Sequence, residues 1–317
     1  MESPMRRIYL FATASLGVGV LLSLFLGLDP DQAQMILAEL RLPRLMLAIA
    51  VGGALAVSGL VLQTVLGNPL ADPYTLGVAS GAALGAALGA SWAPFGTEIS
   101  LETGATIGAC GAIALLLGGF RRGVRNGESM ILAGVMLSLL LAGLLSLWMG
   151  LAEPSGVRVI QFWLLGDLGR ATYRSAVPVL VLGIAAVAYF ISISKRLDAF
   201  LFGEAEVEGF GVSLGKTRKN LILWVSVLVG FCVSSAGMIG FVGLAVPHVL
   251  RRLTRTSLHF HLLPLSWICG AAVLSAGDAL ARGIARPKEL PVGAVMVLVG
   301  VPVFLWIHAR ERRGVES

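Results

Sequence analysis

From Leu45 to Leu66 no residue carries a charge. An uninterrupted apolar run of about twenty residues is long enough to cross the hydrocarbon core of a bilayer as a helix. It is also full of small residues: Gly52, Gly53, Ala54, Ala56, Ser58 and Gly59. Those positions let neighbouring helices approach backbone to backbone. The run ends at Asn68-Pro69-Leu70-Ala71-Asp72-Pro73. Neither proline can donate to a helix, and each turns its predecessor away from α geometry. A second apolar stretch starts directly after, so the pattern predicts helix, tight turn, helix.

The same pattern fills the chain. Apolar runs fall at 8–26, 44–66, 74–92, 103–119, 129–150, 176–194, 220–238, 239–250, 262–281 and 291–308. Hydrophobic residues make up 56% of the 317 and charged residues 13%, against about 25% charged in a soluble domain. The reading is an all-α polytopic membrane protein forming a single domain over 1–317. The first run, behind Arg6-Arg7, exceeds a secretory h-region and is read as an uncleaved span.

The eighth run, 239–250, is short for a span. Charge decides in its favour. With ten spans and both termini cytoplasmic, sixteen of the 24 Lys and Arg lie in cytoplasmic segments, as the positive-inside bias requires. The net charge of +6 therefore reflects topology and not a nucleic-acid partner. Cys110, Cys232 and Cys269 each sit inside an apolar run and are read as buried small hydrophobes.

Several segments together resemble the FecCD-type permeases, the membrane subunits of type II ABC importers for siderophores, haem and cobalamin. The matching residues are Arg41-Leu-Pro-Arg44, Ser58-Gly59 with Gln63, Asn68-Pro-Leu-Ala-Asp-Pro73, Gly203-Glu204, Gly240-Phe-Val-Gly243 with Pro247-His248, and Glu289-Leu-Pro-Val-Gly293. The resemblance implies ten spans with a short eighth. It implies a homodimer in the inner membrane, a cytoplasmic ABC ATPase dimer, and a periplasmic or lipoprotein binding protein. No cofactor and no metal are expected.

It also implies roles. Asn68 and Leu70, with Asn126, Gly127 and Glu128, match the cytoplasmic gate. Glu128 departs from the small hydroxyl residues usual there. The polar segment 195–219 matches the ATPase-coupling loop, with Gly203, Glu204, Glu206, Glu208, Gly209, Phe210 and Gly211 at its centre. Exposed phenylalanines at 200, 202 and 210 suit a contact surface. Arg41, Arg44 and Arg282 match positions that receive acidic residues of the binding protein.

Other motifs are weaker. Gly209 to Thr217 imitates a phosphate-binding loop, but the glycine that G-x-x-x-x-G-K-[ST] demands is Phe210 here, so the chain is not expected to hydrolyse ATP. Asp278 lies inside the ninth run, four residues before Arg282. That spacing predicts an ion pair on one helix face. His248 is read as structural. His259 and His261 are read as loop residues with no third ligand at metal-binding spacing. A stand-alone ion-coupled transporter is the competing class. It needs a relay of intramembrane charges, and Asp278 is nearly alone.

Overall fold

The computed structural model describes residues 2–25, 33–91, 97–119, 127–202, 214–285 and 288–302. Among them the chain is helical. The long helices are α1 (Glu2–Phe25), α2 (Leu42–Val65), α3 (Val78–Ser91), α4 (Thr97–Gly119) and α5 (Gly127–Leu151). After these come α6 (Pro154–Leu164), α7 (Tyr173–Ser192), α8 (Leu214–Ala236), α9 (Val242–Thr254) and α10 (His259–Ile284). The last is α11 (Val292–Pro302). Seven of the helical segments are long and apolar enough to cross a membrane; α3 and α11 are shorter apolar helices. With α9, these answer to the ten expected runs.

Helix α2 is the axis of the fold. Every residue from Ala50 to Leu66 is buried, as expected of a helix apolar on all sides. Its small residues are where neighbours cross. A Cβ on Gly52 would fall 2.4 Å from the Gly270 carbonyl of α10, and one on Gly59 would fall 1.8 Å from the Gly243 carbonyl of α9. The Trp267 indole of α10 fills the notch between Gly53 and Gly183 of α7. Lipid provides no hydrophobic drive for helix association, so this close van der Waals fit is what holds the bundle.

The short eighth span is explained by its ends. α9 has 13 residues, about 20 Å of helix. The chain enters it through a non-helical stretch in which Gly237 and Phe241 have φ of 68° and 78°. Irregular backbone survives at membrane depth only when protein satisfies it. Tyr74 does so here: its hydroxyl accepts from the Ile239 N–H and donates to the Ile239 carbonyl, both at 3.0 Å.

Three features differ from the sequence reading. Of the cysteines read as buried, Cys232 is buried, Cys269 is partly buried and Cys110 is exposed on the outer side of α4. The segment 151–175 contains α6, begun by Pro154 at its first turn. The apolar spacing of Val157, Ile160 and Leu164 carries that signal, overshadowed by the flanking spans. His259 is no loop residue but the first residue of α10, with 0% of its surface exposed. Its polar setting, described below, is what draws it in.

Candidate functional site

The turn after α2 is built as its residues dictate. The Asn68 side-chain oxygen accepts from the Leu70 N–H at 2.9 Å, and its own N–H donates to the Gln63 carbonyl at 3.1 Å. Asn68 is thus a turn-former. The turn leaves the Leu70 side chain out in the open, at 66% exposure. Asp72 then accepts from the Tyr74 N–H at 2.9 Å and starts the short 3₁₀ turn Pro73–Leu76. Burial pushes the Asp72 carboxyl above the usual range, against the lowering effect of that N–H.

Beneath this turn lies a buried polar cluster. Gln63 is 3% exposed. Its amide oxygen accepts from Arg251 of α9 at 2.6 Å. Its amide nitrogen faces the carbonyls of Ala71, Gly243 and Leu244 at 3.4, 3.5 and 3.3 Å. Next to it, the Thr64 hydroxyl lies 2.8 Å from His259 Nε2, and His259 Nδ1 donates to Asp198 at 2.6 Å.

The second segment matched by resemblance to the gate stands at the start of α5. Helix α5 reaches the turn region through Gly134, where a Cβ would fall 2.4 Å from the Thr75 carbonyl. Gly127 and Glu128 open this helix; Asn126 lies outside the described residues. The residues matched by resemblance to the centre of a coupling loop, Gly203, Glu204, Glu206, Glu208, Gly209, Phe210 and Gly211, also lie outside them. Its flanks are described. Phe202 is exposed, while Phe200 sits beneath the Arg218 guanidinium, 5.9 Å from ring centre to carbon.

At the opposite end of α2 the three arginines converge. Arg44 is only 8% exposed. Its Nε and Nη2 lie 2.9 and 2.8 Å from Asp278 Oδ1, and its Nη1 lies 2.6 Å from Glu289. Arg282 Nε is 3.2 Å from the other Asp278 oxygen. Arg282 and Arg41 also donate to the Ser23 and Leu24 carbonyls at the end of α1. The i,i+4 pairing of Asp278 with Arg282 is as the spacing predicted.

The FecCD transport family profile matches residues 7–310. The chain belongs to the FecCD transport family. The vitamin B12 import system permease protein BtuC of Vibrio vulnificus (strain CMCP6) is 36% identical over 294 residues, 92% of this chain and 88% of that one. The Fe(3+) dicitrate transport system permease protein FecC of Escherichia coli (strain K12) is 34% identical, over 90% and 86%. A solved structure of a metal-chelate type ABC transporter in an inward-facing conformation superposes with a TM-score of 0.87 at 31% identity, covering 96% of this chain and 99% of that one. As a FecCD chain this protein is a membrane transport permease and not an enzyme.

Sequence reasoning had found the FecCD arginines and the Asn68 turn. It missed Asp198, Thr64, Arg251 and Tyr74. None carries a local signal, since each acquires its meaning from a partner far along the chain. Glu289 was visible only as part of a motif.

Proposed function

We propose that this chain is the permease subunit of an ABC importer carrying a cobalamin or an iron chelate such as a siderophore or haem complex. It lies in the inner membrane with both termini cytoplasmic, as a homodimer whose pore follows the dimer axis. The full-length likeness to permeases named for vitamin B12 and Fe(3+) dicitrate carries the reading. Leu132, Met136, Leu139, Leu140 and Leu147 leave one face of α5 apolar and exposed, which suits lipid and a second copy. A separate ATPase dimer docks on the segment 195–219, and a binding protein delivers cargo to the Arg41–Arg282 end.

The competing class, a stand-alone ion-coupled carrier, needs an intramembrane acid able to take up and release an ion. Asp278 has both oxygens occupied by two guanidiniums, which disfavours that task. Uptake of labelled cobalamin, ferric siderophore and haem by cells expressing the chain with its genomic partners tests the reading. Accumulation of one cargo, abolished by an inactive ATPase, is the expected result. Uptake that survives loss of the ATPase but collapses with the ion gradient would overturn it.

A further inference from the structure

Both flanks of the coupling segment end on the same turn of α2. On one side is the short helix Ser194–Ala199. Its Asp198 takes two hydrogen bonds from His259, one from the ring at 2.6 Å and one from the backbone N–H at 2.9 Å. His259 Nε2 meets the Thr64 hydroxyl at 2.8 Å. On the other side, Arg218 near the start of α8 donates to the Val65 carbonyl at 3.3 Å. Thr64 and Val65 stand four and three residues before Asn68.

From Thr64 the connection continues. Arg251 donates to the Thr64 hydroxyl at 3.4 Å and to the Gln63 amide oxygen at 2.6 Å. Gln63 then donates to the Ala71 carbonyl, on the far side of the turn, at 3.4 Å. We propose that Asp198, His259, Thr64, Arg251 and Gln63 are positioning residues that carry movement of the coupling segment to the turn 67–72 and so set the exposure of Leu70. The proposal rests on the reading of 195–219 as the ATPase contact and of Asn68 and Leu70 as the cytoplasmic gate.

The chemistry of each link supports transmission. A carboxylate accepts only, so His259 Nδ1 carries the proton facing Asp198. The other ring nitrogen, Nε2, lies 2.8 Å from the Thr64 hydroxyl, whose single proton also faces the Leu60 carbonyl at 3.0 Å. Charge-assisted bonds of this length are the stiff ones, and a buried setting strengthens them. Displacing Asp198 therefore drags the start of α10 or orphans a buried ring. The far end is soft by contrast. The Gln63 nitrogen has two N–H groups and three carbonyls at 3.3 to 3.5 Å. Small shifts of Arg251 redistribute those bonds between α9 and Ala71. A stiff input joined to an output with alternative partners is the arrangement a switch requires.

The test places a nitroxide on Leu70→Cys in a chain whose three cysteines are replaced by alanine. The permease–ATPase complex in lipid vesicles is compared before and after ATP with vanadate. Thr64→Val keeps the shape and removes the central link, and Thr64→Ser restores it. Expected for Thr64→Val is an ATP-dependent spectral change reduced about five-fold or more, with ATPase binding retained, a lower melting temperature from the orphaned His259 ring, and recovery of both in Thr64→Ser. Asp198→Asn supplies a second break outside α2, expected to reduce the change in the same way. A full spectral change in both Thr64→Val and Asp198→Asn overturns the relay alone. Absence of any ATP-dependent change in the parent overturns the underlying gate reading and the relay with it.

Discussion

Arg44 and Asp278, 234 residues apart, form a buried side-on pair: Nε and Nη2 of the guanidinium both lie within 3 Å of one carboxylate oxygen. Asp278 is fully buried. Removing one member of such a pair strands the other charge, at a cost of about 3–5 kcal/mol. Asp278→Asn takes the buried carboxylate from two guanidiniums, leaving Arg44 only the half-exposed Glu289 and Arg282 only Ser23. It is expected to lower the melting temperature in detergent sharply, and Arg44→Met combined with Asp278→Leu is expected to be less damaging than Asp278→Asn alone. Glu289→Gln should be mild, because Glu289 has 52% of its side chain exposed and exposed pairs contribute about 0–1 kcal/mol.

Tyr74 holds the entry to the short span. Tyr74→Phe removes a hydroxyl that satisfies both backbone groups of Ile239. Each buried orphan costs about 1–3 kcal/mol. Thermal unfolding should show that loss, with transport falling further than the loss of folded protein explains, since α9 carries Arg251 beside Gln63.

The proposed docking of a binding protein is best tested without Arg44 and Arg282, since reversing either would set a carboxylate against the buried Asp278. Arg41 is partly exposed and lies beside them. Rim charges steer association and set its salt dependence. Arg41→Glu is expected to slow the on-rate measured by surface resonance and to flatten its dependence on salt. An unchanged on-rate and slope would return this side chain to a purely structural role.

The coupling reading predicts that Glu204→Arg with Glu208→Arg uncouples ATP hydrolysis from uptake or prevents the ATPase from binding. Neither residue lies in an apolar run, so folding should be spared. Pull-down of the ATPase and vesicle uptake measure the two outcomes; normal transport would dismiss the assignment.

Much of this architecture is written locally. Ten apolar runs, the small residues of Leu45–Leu66 and the two prolines after Asn68 each act through their immediate neighbours. Helix formation in lipid is a local obligation, because every backbone group must be paired within its own segment. The Asp278–Arg282 pair was legible for the same reason: four residues return to one helix face. The motif residues of the FecCD family could be recognised as well. α6 escaped because an amphipathic pattern of eleven residues is faint beside two full spans.

Tertiary structure alone settled the rest. Arg44 could have faced water, lipid or a partner protein; Asp278 and Glu289, brought in from the far end of the chain, turned it inward. His259 read as a loop residue until Asp198 and Thr64 came to either side of its ring. Tyr74 carried no local signal; its role comes from the break at Ile239, which reaches its hydroxyl. A charged or polar side chain in an apolar setting must find a partner. Composition states that need, and only the packing of distant helices names the residue that meets it.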